Sequence, residues 1–436
     1  MTQRILILAP VLLLLAAAAP AAAQERSVSL AEAIQMAQRV QPATVQAMGT
    51  IRTAAAQHLA VVGEYLPNVS ANANANNGYA ATQHFDQATN QILSGGSSST
   101  SISTGLSASV DLFTGFRRGA DMAAANANER AASAGLVSAR YVVVVSTTSA
   151  FIAALTQRQL VSVDSEAVVR AQGQLKAAVD KLHVGAATRS DSLTSIVTLG
   201  TARLNLINAQ AGLAGAEAAL ARLIGLPGSV SARDDSVYYQ VLASVDSAEI
   251  RKEAIAQSPL VQAADANADA AHANLRAAKA GYWPTLSASA SAAWSGSNNS
   301  VPSYSLLPNR SIGLSFSWPL FSRFTRERTI TQNDVAAEVA DVTAQDARLQ
   351  LGASLTQSLA NLDAARQSIG ISQISVLSAQ EALRVVQERY KAGAATIVDV
   401  QVAQDALNTA EVSVLQARFS YLTAKAALEA LIGRSL

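Results

Sequence analysis

The 436-residue sequence contains no cysteine, and only 5% of its residues are aromatic. Without cysteine there is no disulfide framework, no thiolate metal site and no thiol to carry a lipid anchor. Prolines number ten, and none falls between residues 115 and 225 or between 322 and 433. Two very long stretches therefore lack the commonest helix breaker. Charge of either sign is in balance, with 32 Lys and Arg against 31 Asp and Glu. That near-neutral chain lacks the basic excess that nucleic-acid binding needs. Long apolar runs are missing too, except one at the N-terminus. Arg4 precedes Ile5 to Ala19, and Ala21-Ala22-Ala23 offers a small-residue cleavage site, so residues 1–23 read as an export signal peptide. A run of ~15 apolar residues is short of the ~20 that span a bilayer. No other run is long enough for a transmembrane helix. His58, His84, His183 and His272 are isolated in the sequence, at no metal-ligand spacing. No nucleophile elbow, phosphate loop or paired-acid arrangement occurs. No catalytic residue, metal or cofactor is expected, and the chain reads as a non-enzyme.

Half of the residues are hydrophobic, and abundant alanine favours long helices with closely packed seams. The sequence is one unit written twice. Gly185-Ala186-Ala187-Thr188 recurs as Gly393-Ala394-Ala395-Thr396, with Asp191 and Asp399 each three residues further on. Pro42, Tyr65 and Pro67 reappear 217 residues later as Pro259, Tyr282 and Pro284. Leu112-Phe113 and Leu223-Ile224-Gly225 reappear 208 residues later as Leu320-Phe321 and Leu431-Ile432-Gly433. The spacing changes once, between Pro67 and Leu112, where the first copy is nine residues longer. A length change confined to one place marks a loop. The expected organisation is a first repeat over 24–225, a linker over 226–246 punctuated by Pro227-Gly228, and a second repeat over 247–436.

Two periodicities alternate within each repeat. A seven-residue row runs Leu355, Leu362, Ile369, Val376, Leu383, Tyr390, and resumes after Gly393 as Val400, Leu407, Val414, Tyr421, Leu428. The first copy has Ala154, Val161, Val168, Leu175, Leu182, then Leu199, Leu206, Leu213, Leu220. A heptad row held this long imposes a left-handed supercoil. The helix from about Gly115 to Leu182 would be ~100 Å long at ~1.5 Å per residue. Gly185 and Gly393 fall where each helical hairpin reverses, and Thr188 or Ser190, and Thr396, are candidate N-caps. The other period is two. Ile312, Leu314, Phe316, Trp318 and Leu320 alternate with Ser311, Gly313, Ser315 and Ser317, and Leu286 to Trp294 alternates with serine in the same way. Ile102, Leu106, Ala108, Val110 and Leu112 repeat the pattern in the first copy, and Val69 to Ala75 does so against Ser and Asn.

Each such segment predicts a strand of ~10 residues with one apolar and one small polar face, suited to crossing an outer membrane beside a wet lumen. Trp283, Trp294 and Trp318 fall near strand ends, where amphipathic rings favour a membrane interface. Asn77 to Thr100 and Ser295 to Arg310 read as hairpin loops. A soluble sandwich is the competing reading, but four strands are few for two sheets. Four strands do not close a barrel either, so several copies of the chain must complete a wall.

Taken together, these features resemble the TolC-like outer-membrane efflux protein family. Glu388-Arg389-Tyr390-Lys391-Ala392-Gly393-Ala394-Ala395-Thr396-Ile397-Val398-Asp399-Val400 is similar to that family's second hairpin tip. Val184 to Asp191 is similar to its first, Trp318-Pro319-Leu320-Phe321 to its strand-to-helix junction, and Ser258-Pro259-Leu260-Val261 to an early helix. The resemblance covers residues 29–433. It implies a mainly α fold with a small β part: a homotrimer forming a twelve-stranded β-barrel in the outer membrane and a periplasmic α-helical barrel. It implies a passive exit duct of a tripartite efflux or type I secretion system. The partners would be outer-membrane lipid, a periplasmic adaptor (membrane fusion protein) docked on Gly185, Ala186, Thr188, Gly393, Ala394 and Thr396, and an inner-membrane pump.

The family's gate implies roles for Tyr390, Asp191 and Asp399. An arginine and a second acidic ring of that gate correspond here to Ala395 and Val402, which leaves the latch weaker. Asp191 and Asp399 are equally suited to complementing a helix dipole. Arg117, Arg118, Arg323, Arg326 and Arg328 open the long helices, either as solvated first-turn residues or in contact with lipid phosphates. With no lipidated cysteine and nothing past Leu436, a thin equatorial belt is expected. The alternative function is a periplasm-spanning coiled-coil structural or adaptor protein, which would have no use for paired amphipathic strands.

Overall fold

The computed structural model describes residues 26–88, 90–235, 247–298 and 306–432. The signal segment, Tyr238 with most of the linker, and Gly433 lie outside the described residues. In chain order the elements are β1 (Arg26–Val28), α1 (Leu30–Val40), α2 (Pro42–Gly63), β2 (Asn68–Asp86), β3 (Gln91–Phe113), α3 (Arg117–His183), α4 (Arg189–Ile224), β4 (Val230–Ala232), α5 (Ser247–Gln257), α6 (Pro259–Lys279), β5 (Thr285–Asn298), β6 (Leu307–Ser317), α7 (Thr325–Lys391) and α8 (Ile397–Ile432). The halves repeat element by element: α3 and α7 each have 67 residues, and α4 and α8 each have 36.

By contact the chain divides into two compact units. The unit made of residues 42–142, 245–359 and 428 onward contains a four-stranded antiparallel sheet in the order β2-β3-β5-β6. Its register sorts the alternating residues onto two faces. One transverse row is Val69, Ala108, Ala290 and Ile312, and the next is four serines, Ser70, Ser107, Ser291 and Ser311. Their hydroxyls pair at 2.8 Å between Ser70 and Ser107 and at 2.8 Å between Ser291 and Ser311. Every residue of β6 is exposed, so neither face of that strand has a protein cover. A soluble sandwich would have buried one.

The first hairpin departs from expectation. Asn77–Thr100 is not a loop: β2 and β3 stay paired as far as Asp86 opposite Gln91. Ser, Thr and Tyr sustain the ladder, and the short reversal uses an Asp86 carboxylate that accepts the Ala88 N–H (3.0 Å) and a left-handed Asn90. Among the described residues, pairing of β3 to β5 reaches Thr100 opposite Asn298, and beyond it β2 and β3 pair with each other as a ribbon. The strands are 19 and 23 residues long in this hairpin and 14 and 11 in the second, against ~10 expected from a membrane crossing.

The other unit, residues to 41, 143–244 and 360–427, holds the main core. Phe151, Leu155, Leu220, Ile224, Val28 and Val230 are all buried there, joined by Leu415 and Phe419 of α8. β1 and β4 pair in parallel above it. Arg158 of α3 ties that short sheet down. It meets the Glu217 carboxylate at 2.7 Å and donates to the Ala232 carbonyl at 2.8 Å and to Ser231. Glu217 is buried while the Arg158 side chain stays partly exposed, so the pair bears only part of the desolvation penalty of a fully buried one. Along the helical hairpins, the heptad row is buried at Leu355, Leu362, Ile369, Leu383, Val400, Leu407, Tyr421 and Leu428. α3 alone among the described helices is long and apolar enough to cross a membrane by length and composition, a consequence of its Ala- and Val-rich middle.

Phe151, 1% exposed, is the largest side chain fully inside this core. Phe151→Ala should cost about 3–5 kcal/mol and lower the midpoint of thermal unfolding followed by circular dichroism. An unchanged midpoint would show that this core does not limit stability.

Candidate functional site

The two helix-hairpin tips have the same backbone. After Val184, the Ala186 N–H donates to the Lys181 carbonyl (2.8 Å) and the Gly185 N–H to the Leu182 carbonyl (3.1 Å). The twin donates from Ala394 to Arg389 (2.8 Å) and from Gly393 to Tyr390 (3.1 Å). This paired closure requires a left-handed residue, and Gly185 (φ 72°) and Gly393 (φ 76°) supply it. Three residues after each glycine the chain re-enters a helix through a reciprocal cap. Asp191 accepts from the Thr188 N–H (2.9 Å) while its own N–H donates to the Thr188 hydroxyl (3.2 Å). Asp399 and Thr396 make the same exchange at 2.8 and 3.2 Å. Gly185, Ala186, Thr188, Gly393, Ala394 and Thr396 are all exposed, as a partner surface requires.

The gate candidates are not joined by hydrogen bonds in this structure. Tyr390 packs against the cluster of Leu383, Val400 and Leu407, and its hydroxyl is buried without a partner. Burial, and then the Asp191 charge, raise the phenol pKa above its ordinary value, so it remains a proton donor. A buried donor without an acceptor costs about 1–3 kcal/mol, which gives it reason to bond elsewhere. The Asp191 carboxylate is engaged as a cap, but a carboxylate has about four lone-pair positions and can accept again. The residue that does contact Tyr390 is Lys181, whose Nζ lies 3.8 Å from the ring centroid and donates to the Tyr390 carbonyl. No motif marks Lys181, and only its place in the last turn of α3 hints at a role. Its twin Arg389 instead donates to the Ala394 carbonyl (3.3 Å) of its own turn. Further ties missed by sequence reasoning join α3 to α8, where Arg170 meets Asn408 (2.7 Å) and Glu411 (3.1 Å), and α4 to α8, where Gln401 meets Thr198. Ala395 is partly buried and Val402 exposed.

The strand-to-helix corners hold the remaining candidates. Trp283 precedes β5, and its ring meets Phe116 edge-on at 5.6 Å. Trp318 follows β6 and donates from Nε1 to the Tyr282 carbonyl (3.1 Å). Trp294 lies within β5, opposite Thr104 and Pro308 on the apolar face. Arg117 pairs with Asp121 at 3.5 Å, and Arg118 lies over Tyr65 at 5.0 Å. Over the four-stranded part the polar face is mainly Ser, Asn, Gly, Ala and Thr, with Asp111 towards one end, and Asp86 lies on the same face at the far end of β2. His58 faces Glu129 at 3.7 Å and His272 faces Asp341 at 3.0 Å, and no cluster of metal-ligating residues occurs among the described residues.

Residues 33–226 and 250–434 match the family described as Outer membrane efflux protein. The chain is similar to the outer membrane efflux protein BepC of Brucella suis, 24% identical over 332 residues that cover 74% of this chain and 70% of the relative. It is 30% identical to the outer membrane protein TolC of Salmonella enteritidis over 189 residues, 42% of this chain and 37% of the relative. The solved outer membrane protein VceC of Vibrio cholerae superposes with a TM-score of 0.77 at 18% identity, covering 93% of this chain and 96% of that one.

Hydrogen bonds from the Thr396 backbone and hydroxyl, with the Arg389 charge behind them, hold the Asp399 pKa below the ordinary carboxylate value. A depressed pKa contributes stability above the unfolded-state value and loses it as pH falls through the folded-state value. Asp399→Ala should therefore lower the melting temperature at pH 7, and the difference from wild type should shrink as pH falls below the ordinary carboxylate range and through the depressed folded-state value. A penalty that persists in acid would show that the side chain acts by packing rather than as a charged cap.

Proposed function

Because this chain belongs to the outer membrane efflux protein family, we propose that three copies of it form a passive exit duct through the outer membrane. The observation that carries the reading is the four-stranded sheet. Among the described residues β2 and β6 each pair on one edge only, one face is apolar over its middle rows, with Arg310 towards the hairpin end, and the other is mainly hydroxyl and amide. Unpaired strand edges are not tolerated in lipid, where each orphan backbone group costs several kcal/mol. Three four-stranded sheets closed edge to edge give twelve strands with no free edge. The apolar rows then face lipid, and the serine and asparagine rows line a wet lumen. The helices support the same assembly, since Leu193, Val197 and Leu204 of α4 and Ile371, Ile374 and Leu377 of α7 form exposed apolar rows that neighbouring copies would cover.

The duct performs no chemistry in this reading. Its driving force comes from an inner-membrane pump, reached through a periplasmic adaptor docked on the Gly-Ala-Ala-Thr tips. Duplication of the same exposed backbone at both tips supports docking there, because an adaptor that recognises one tip recognises the other. Tyr390 and Asp191 form the closing latch, Tyr390 donating to the carboxylate when adjacent hairpins tighten.

Mass measurement in detergent should give three copies, and a stable monomer or dimer would overturn the closed wall. Leu314→Arg or Phe316→Arg should impair membrane assembly at a cost of about 2–4 kcal/mol near mid-membrane, whereas Ser315→Arg should insert and alter conductance instead. Equal effects on both faces would contradict the assignment of lipid and lumen sides.

Removing one charge-assisted bond of about 1.5–3 kcal/mol shifts an open-closed equilibrium by about 10–100-fold. Tyr390→Phe combined with Asp191→Ala should raise single-channel conductance in planar bilayers and leave the trimer intact. Unchanged conductance would show that these residues only pack and cap.

A further inference from the structure

The two strand-to-helix corners are one structure built twice. Leu112-Phe113-Thr114-Gly115-Phe116 and Leu320-Phe321-Ser322-Arg323-Phe324 are equivalent positions of the repeat. In each, a hydroxyl caps the following helix, Thr114 accepting from the Arg118 N–H and Ser322 from the Arg326 N–H, both at 3.4 Å. The next two residues are left-handed, with φ of 66° and 67° at Gly115 and Phe116, and 52° and 61° at Arg323 and Phe324. In each, two phenylalanines meet edge to face, at 5.3 Å for Phe113 and Phe116 and 5.6 Å for Phe321 and Phe324. A left-handed bulky residue is uncommon and strained, so its presence in both corners requires a compensating use.

The corners differ at one position. Gly115 has to be glycine, since a Cβ there would lie 2.7 Å from the Ala280 carbonyl oxygen and 2.7 Å from the Trp283 Cβ. Its twin is Arg323, which carries a side chain on a backbone that suits glycine. Arg118 and Arg326 are occupied, lying over Tyr65 at 5.0 Å and Tyr282 at 4.0 Å. Arg323 is exposed and has no carboxylate or ring partner among the described residues. Beside it Phe321 and Phe324 are each 71% exposed. The corner follows Trp318 and Leu320, exposed apolar residues that come directly after β6. A free guanidinium and two bare rings are thus held together, against backbone preference, at the margin of an apolar surface.

We propose that the second corner is a headgroup site for an anionic phospholipid of the periplasmic leaflet. Phe321 and Phe324 enter the acyl margin, and the Arg323 guanidinium donates two parallel hydrogen bonds to the phosphodiester. The first corner supplies rings without a free cation, because Arg117 is paired with Asp121. One site per chain results. The proposal rests on the membrane placement of the sheet given above, and continuity with the apolar face selects lipid over a soluble anion.

The full chain, purified in detergent and stripped of lipid, would be titrated with phosphatidylglycerol and followed by native mass spectrometry and melting temperature, beside Arg323→Gly. The expected result is one bound lipid per chain, with a rise in melting temperature. Arg323→Gly should match or exceed wild-type stability in lipid-free detergent, because glycine suits the left-handed backbone, yet bind phosphatidylglycerol about tenfold or more weakly. Phe324→Gly, relaxed in the same way, should also lose lipid. Unaltered lipid binding in Arg323→Gly by a membrane-inserted trimer overturns this proposal alone. Equal protection of wild type by inorganic phosphate overturns the lipid assignment. Recovery of the wild-type chain outside the membrane overturns both this site and the duct.

Discussion

Backbone hydrogen bonding governs this molecule more than any side chain does. A strand satisfies its N–H and C=O groups through neighbours, and this chain brings four strands in a row with no further strand, among the described residues, beyond β2 on one side or β6 on the other. In water such edges recruit other strands, and in lipid they cannot remain open at all. The sheet also has no core: β6 is exposed along its whole length. A wall of this kind is stable only as part of a closed ring in an apolar solvent. In the proposed duct, oligomer, membrane and lumen are consequences of that one deficit, and the Ser and Asn rows determine what sort of surface the ring would enclose.

The helices meet a matching constraint by different means. A helix satisfies its own backbone, so its problem is the burial of side chains. Here one heptad row is covered within the chain while a second apolar row stays bare. Helix ends must also be closed, and each tip does so in about a dozen residues: a left-handed glycine finishes one helix and a reciprocal Thr and Asp cap starts the next. With the ends this well satisfied, the tips are rigid small-residue knobs rather than loose loops. Lys181 against Tyr390 then breaks the equivalence of the halves, since Arg389 at the same place closes its own turn.

Much of this was legible in the sequence, because the repeat, the heptads and the alternation are local patterns with one structural meaning each. The equal lengths of α3 and α7, and of α4 and α8, follow from the duplicated Gly-Ala-Ala-Thr register. What was not legible depended on context. Asn77 to Thr100 is rich in Gly, Ser and Thr, a composition shared by loops and by solvent-exposed ribbons, and only cross-strand register separates the two. Lys181, Arg170 and Gln401 reach across to other helices, and no one-dimensional spacing announces a lateral tie. The corner strain at Phe116 and Phe324 was invisible for a related reason: nothing about a phenylalanine in sequence says that its φ is positive.

The overhanging β2–β3 ribbon bears on how such a chain can diverge. From Thr100 to Ser109 each residue of β3 is held between two strands, so a single inserted residue would exchange the apolar and polar faces along the strand. Above Thr100, among the described residues, the two strands pair only with each other, and residues added at the reversal lengthen the ladder without moving any pair beneath. The single place where the repeats differ in length lies between Pro67 and Leu112 and includes this ribbon. The β2–β3 ribbon is thus the segment where evolution can experiment with length and composition while the sheet keeps its register.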